Sequence, residues 1–382
     1  MSYSHNRMSR FKELVAGKAD LVFLHRGTDL DYLAGLRRDL PNYGRNIHPG
    51  DWLQGAWISP KTGAILAVPR ITSDITPEVT ASVDETRVLS DWDSPEAMLK
   101  GIIGSMDLPR APRVAVSDNA EAQTLFHLQA LIPDARFVSA TSLLMQMRVI
   151  KSPEEIETLK VAGRMTEDAL AATISNLKIG MTELDIVSEL DYQMRRQGSL
   201  GPTFATTLYV SGPNHPMIFR KRLKTWPRKL TPPVSILLDF GAAHDGMCYD
   251  YGRTVCFGAP PAEQVRVHEM IMRSQAAGIA ALRAGAAICE NVDKAARDVV
   301  VAAGYGPKFQ HRLGHAIGWD VHEPPFLSKG DTTTVQDGMV FTVEPSVWQD
   351  GSFSARVEDC VVVRPDGGEK LTGGYQDLIV IE

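Results

Sequence analysis

Cysteine is scarce in this chain and never paired. Cys248, Cys256, Cys289 and Cys360 are the only four in 382 residues, and no two stand in a C-x-x-C arrangement. That spacing speaks against a disulfide framework or a thiolate zinc site and for buried thiols in a reducing compartment. Positive charge is also in deficit. A formal net charge of −6 leaves no basic footprint for nucleic acid. No apolar run reaches the length needed to cross a bilayer, and the first residues, Met-Ser-Tyr-Ser-His-Asn-Arg, have no apolar core of a secretory leader. The expectation is a cytoplasmic protein that engages neither membrane nor nucleic acid.

A chain of this length predicts two domains. Residues 1–148 alternate strand-like runs (Asp20-Leu-Val-Phe-Leu, Ala64-Ile-Leu-Ala-Val, Arg113-Val-Ala-Val) with helical patterns such as 119–131, which predicts a smaller α/β domain. In Lys151-Ser-Pro-Glu-Glu155 a serine precedes a proline at a first helical position, with acids in the first turn; the second domain, 149–382, therefore opens on a helix running to about 176. Further helices are expected from Thr182, over 260–283 and over 290–303, interspersed with β segments at 234–240, 247–257, 338–344, 355–363 and 377–381. This mixture predicts an α+β domain with an antiparallel sheet covered by helices.

Five residues of the second domain stand out: Asp239, Asp250, His315, Glu344 and Glu358, each in or at the edge of a strand-like stretch. Asp239 closes the apolar run Val234-Ser-Ile-Leu-Leu, and His244-Asp-Gly246 supplies a turn before Asp250. A turn centred between 244 and 245 makes the two aspartates cross-strand partners. A turn at Asp245-Gly246 pairs Asp239 with position 252, and period-2 alternation still puts Asp250 on the same face. Like charges so close need a cation. Glu344 closes a second apolar strand, and Glu358 faces it if Gln349-Asp-Gly-Ser forms a three-residue loop; a two-residue loop would put them on opposite faces. The stretch 311–322 holds three histidines, His311, His315 and His322, with glycines at 314 and 318 that allow close backbone approach. Four carboxylates and one imidazole form a hard, oxygen-rich set suited to two divalent ions.

The motifs Asp239-Phe-Gly-Ala, Tyr249-Asp250-x-x-Arg253-Thr254, Gly314-His315-x-Ile-Gly-x-Asp-Val-His322-Glu-Pro-Pro, Phe341-Thr-Val-Glu344-Pro and Arg356-Val-Glu358-Asp together resemble the prolidase, aminopeptidase P and creatinase family. The likeness extends to Arg148-x-Ile-Lys-Ser-Pro-Glu-Glu-Ile and to Tyr32-Leu-Ala-Gly, so it spans nearly the whole chain. It implies a pita-bread catalytic domain, a homodimer, and a hydrolase of the Xaa-Pro peptidase type acting on a dipeptide or short peptide. By that likeness Asp239 and Asp250 hold one metal and His315 and Glu344 the other, with Asp250 and Glu358 bridging. Manganese is the first expectation, with iron, cobalt or zinc also suited. A metal-bridging hydroxide would attack the amide carbonyl, Glu344 would move its proton to the leaving nitrogen, and His322 and His215 would steady the oxyanion. Arg356 would anchor Glu358 or a substrate carboxylate, and His311 matches a substrate-pocket histidine. Tyr43 and Arg45 are similar to a segment with which creatinase-like members reach a neighbouring subunit's pocket.

Three departures bear on the substrate. Gly252 stands where the family usually has Thr, Ala316 where it has Gly, and Glu344-Pro-Ser-Val-Trp348 where Glu-Pro-Gly-x-Tyr is common. They keep open a small-molecule enzyme on the same scaffold, similar to ectoine hydrolases or dimethylsulfoniopropionate lyases, and beyond it a non-catalytic binding protein. The basic run Arg220, Lys221, Arg222, Lys224, Arg228 and Lys229 reads as a solvated loop or as a flap that draws in an anionic substrate.

Overall fold

The computed structural model describes residues 3–35, 49–75, 82–219 and 221–382. Two compact units, Met1–Arg148 and Val149–Glu382, each have their own core.

In the first unit a six-stranded sheet has the order Glu85–Leu89, Gly63–Pro69, Gly55–Ser59, Leu21–His25, Arg113–Val116, Arg136–Ser139. Gly55–Ser59 runs antiparallel to both neighbours, and the remaining pairs are parallel. The helix Pro95–Gly104 starts where Ser94 accepts from the Ala97 amide and proline fills the first turn. Its Leu99 and Ile102 pack with Phe23, Trp57 and Leu128 of the helix Ala122–Leu131 and the sheet.

The second unit opens on the helix Pro153–Asn176. Ser152 and Glu155 form a reciprocal capping box there, as Thr182 and Asp185 do at the helix Glu183–Arg196. One sheet has the order Ile379–Ile381, Tyr251–Phe257, Val234–Phe240, Thr207–Ser211, antiparallel except for the parallel pairing of its first two strands. The other is antiparallel throughout, in the order Glu323–Leu327, Gly314–Ala316, Val340–Val343, Asp359–Arg364, Gly367–Lys370. An antiparallel bridge between Gly252 and Glu358 joins the two. The helices Ala262–Ala281 and Cys289–Ala302 cover the second sheet, and Ile271, Val292, Phe341 and Val361 meet between them without exposed surface. Full burial of each such side chain contributes about 1.5–3 kcal/mol. This core gives the strands that carry the acids a rigid support.

Candidate metal centre

The hairpin that carries Asp239 and Asp250 takes the second of the two registers open to the sequence. Asp239 pairs with Gly252, and the ladder runs on to His244 opposite Met247. Asp245 and Gly246, at φ 47° and 83°, make the two-residue turn. Asp250 lies two residues from Gly252, hence on the same face as Asp239. The second acid pair follows the three-residue loop. Ser346 pairs with Arg356 and Gln349 with Phe353, while Val343 pairs with Asp359, so Glu344 and Glu358 fall at matched positions between these ladders. The Gly252–Glu358 bridge then brings both acid pairs to one place.

His315 enters from the neighbouring strand. Gly314 is required beside it, because a Cβ there would lie 1.9 Å from the Thr342 carbonyl oxygen. The His315 Nδ1–H donates to the Ala316 carbonyl at 3.1 Å, which leaves Nε2 as a lone pair. That lone pair stands 3.6 Å from Asp250 Oδ2 and 3.6 Å from Glu344 Oε1, both acceptors. Burial holds the imidazole below its usual pKa and so disfavours a proton on Nε2. Asp250 Oδ1 is buried without a hydrogen-bond partner. Acceptors facing acceptors in a dry site call for a cation, and the donor set fits divalent metal. Three overlapping groups, Asp239–Asp250–Glu358, His315–Glu344–Glu358 and Asp250–His315–His322, each bring ligand atoms within 4.8 Å of one another.

The electrostatics agree. Burial, opposed by the Arg356 charge, raises Asp239 to about 6 and Asp250 to about 7. Glu344 is raised by burial, and Glu358 well above the carboxylate range by burial and the charges of Asp250 and Glu344.

Arg356 meets three of the four acids. Its Nη1 donates to Asp239 Oδ2 at 2.8 Å and to Glu358 Oε2 at 3.4 Å, Nη2 lies 3.4 Å from Glu344 Oε2, and Nε donates to Ser346 Oγ at 2.7 Å. The guanidinium is thus an anchor for the acids. His322 stands on the exposed rim with its ring 4.1 Å from that of His315. His311 donates from Nδ1 to the Arg312 carbonyl at 2.6 Å, and its ring lies 5.3 Å from Trp348.

His215 is placed elsewhere. It closes a turn with Gly212, and its Nε2 lies 3.2 Å from the Lys229 carbonyl oxygen and 3.4 Å from the Thr231 amide. Its strand pairs Ser211 with Ser235, four residues from Asp239, or about 13 Å along a strand. The side chain that this loop sends toward the centre is Phe219, which packs on Trp348 and Tyr209. Sequence reasoning missed Tyr209 and Phe219, for which no local signal exists; Trp348 was visible as a departure. Tyr43, Arg45 and Arg220 lie outside the described residues. Elsewhere in the basic run, Arg228 pairs with Glu183, Arg222 donates to Thr207 Oγ1 at 3.2 Å, and Lys221, Lys224 and Lys229 are exposed.

Antiparallel strands that converge acids and an imidazole on a cation site, under a helical cover, define a metal-dependent hydrolase. Comparison with known proteins fixes the family. Residues 157–365 match metallopeptidase family M24 and residues 7–150 the creatinase/prolidase N-terminal domain, and the chain belongs to this family, with its pita-bread fold. A Xaa-Pro dipeptidase of Lactobacillus helveticus is 34% identical over 256 residues, 67% of this chain and 68% of the relative. The structure of a Pyrococcus horikoshii dipeptidase superposes with a TM-score of 0.84 at 27% identity, covering 98% of this chain and 100% of that one. A Thermococcus sibiricus prolidase shares the fold at a TM-score of 0.86 and 24% identity, with both chains fully covered. Among the described residues no helix is long and apolar enough to cross a membrane.

Proposed function

We propose that the protein is a dinuclear Xaa-Pro peptidase that hydrolyses the amide before proline in a dipeptide or short peptide. The observation that carries this reading is the His315 lone pair facing two carboxylates beside the unpartnered Asp250 oxygen. Asp239 and Asp250 would hold one divalent ion, His315 and Glu344 the other, with Asp250 and Glu358 shared; manganese is the first candidate. Bound there, such ions acidify water to supply a nucleophile near neutral pH and polarise the carbonyl. Glu344, oriented by Thr342 Oγ1 at 3.4 Å and by Arg356, takes up the proton and delivers it to the leaving nitrogen. His322, on the open rim, donates an N–H to the developing oxyanion. Arg356 fixes the acids against their mutual repulsion.

The test is proline release from Xaa-Pro peptides by manganese-, cobalt- or iron-loaded protein. Glu344→Ala should lower kcat/KM about 10²–10⁴-fold. Release no greater than that of Glu344→Ala would favour the second reading, a small-molecule hydrolase or lyase on this scaffold. The observation that speaks for that reading is the loop that brings Phe219 rather than His215 to the centre.

A further inference from the structure

One buried amide ties together the two strands that carry Glu344 and Glu358. Gln275, only 2% exposed, lies on the inner face of the helix Ala262–Ala281. Its Nε2 donates to the Val343 carbonyl at 3.1 Å, to the Val357 carbonyl at 3.1 Å and to Asp359 Oδ2 at 3.0 Å. Val343 and Val357 immediately precede Glu344 and Glu358, so a single side chain holds the peptide group that leads into each acid. The helix comes close enough because of Gly278, one turn further on, where a Cβ would stand 3.0 Å from Leu313 Cδ2 and 3.2 Å from Val343 Cγ1.

A side chain is needed there because the backbone falls short. The register that pairs Val343 with Asp359 and Ser346 with Arg356 sets position 345 opposite position 357. Position 345 is proline, which has no N–H to give to its opposite residue. The amides of the acids are committed outside the pair: Glu344 donates to the Leu313 carbonyl at 2.9 Å and Glu358 to the Gly252 carbonyl at 3.0 Å. Gln275 gives the buried Val357 carbonyl the donor that Pro345 lacks and links it to Val343 across the gap.

The amide is itself oriented. Lys370 Nζ, which can only donate, lies 3.1 Å from Gln275 Oε1, so the oxygen end faces the lysine and the NH2 end faces the carbonyls. Lys370 also meets Asp359 Oδ2 at 2.8 Å, and Arg253 donates to the Asp359 carboxylate and, at 2.6 Å, to the Glu358 carbonyl. All three acceptors that Gln275 holds thus belong to residues next in sequence to Glu344 or Glu358. An apolar side chain of equal volume would fill the space and hold none of them.

We infer that Gln275 is a positioning residue: it sets the separation of Glu344 and Glu358, and with it the grip on the ion that His315, Glu344 and Glu358 would hold. This rests on the dinuclear reading above. The test counts bound manganese by the electron paramagnetic resonance signal of the free aqueous ion, with circular dichroism to confirm the fold. Gln275→Met should bind the weaker of two ions about 10–100-fold less tightly than the wild type. At a manganese concentration that saturates the wild type, its kcat on a Xaa-Pro dipeptide should fall by a similar factor with KM nearly unchanged, since Gln275 lies behind the acids and touches no substrate. Lys370→Met, at a side chain 28% exposed, frees the Gln275 amide to turn and should weaken the same ion; it carries the test if Gln275→Met does not fold. Wild-type affinity and kcat in the folded Gln275→Met protein, or in Lys370→Met where the first variant does not fold, would overturn the assignment alone. A wild type that binds no manganese would remove it together with the dinuclear reading. Two ions in the wild type, a weakened ion in the variant and no proline release from any peptide would uphold the assignment and sink the peptidase.

Discussion

Gly252 shows how one missing side chain shapes the centre. The family resemblance leads one to expect Thr there, yet a Cβ at 252 would lie 2.5 Å from Glu358 Oε2 and 2.8 Å from Arg356 Cδ. The Arg356 stem occupies that space on its way to Asp239 and Glu344. Position 252 and the guanidinium anchor are therefore coupled, and restoring the usual residue should harm this protein. Gly252→Thr is expected to cost about 1–3 kcal/mol in urea denaturation, the usual range for overpacking, and to lower bound metal by elemental analysis. Wild-type stability and metal content in that variant would show that the Arg356 stem has room to shift.

At the scale of elements, a buried ion pair fixes the turn that carries His322. Lys151, just before the cap of the helix Pro153–Asn176, places Nζ 2.9 Å from Glu323 Oε2, and neither side chain has exposed surface. Glu323 Oε1 accepts the Asp320 amide at 3.0 Å, and the Trp319 indole donates to Glu155 at 2.7 Å. Lys151→Met would strand a buried carboxylate and should cost about 3–5 kcal/mol, much of it recovered by the double variant Lys151→Met/Glu323→Leu. A single variant that unfolds at the wild-type urea midpoint would deny the pair this role. The helix start was legible because capping is local: serine, proline and two acids announce it. The hairpin was legible down to two registers, since Asp245-Gly246 and His244-Asp245 are both plausible turn centres and the strand pattern is indifferent to the choice. The buried partner of Lys151 and the meeting of Tyr209, Phe219 and Trp348 were not legible, because they depend on how distant strands are laid side by side. His215 illustrates the same limit: its neighbours in sequence fit a catalytic loop, whereas the fold engages it with residues 229–231.

For the molecule as a whole, gathering four acids in a dry site makes the metal-free protein sensitive to pH. Asp239 at about 6, Asp250 at about 7, Glu344, raised by burial, and Glu358, raised well above its usual value by burial and neighbouring charge, retain protons in the folded state that they release near pH 4 when unfolded. The folded chain then binds more protons than the unfolded one, so this contribution is full below pH 4 and is lost as pH rises through the folded values. The histidines of the site oppose it. His311, depressed to about 3, His322, to about 4, and His315, also lowered, contribute stability that grows with pH but is complete once pH exceeds the unfolded value near 6.5. Between pH 6.5 and 8 the acids act alone. The Tm of EDTA-treated protein should therefore fall by roughly 5 °C or more across that window, while excess manganese, which replaces those protons, should flatten or reverse the trend. Metal binding should also release protons, measured as a binding enthalpy that differs between phosphate and Tris buffers. A Tm constant from pH 6.5 to 8 without metal would mean that Arg356 alone suffices to hold the acids ionised, and the case for a cation site would lose its electrostatic support.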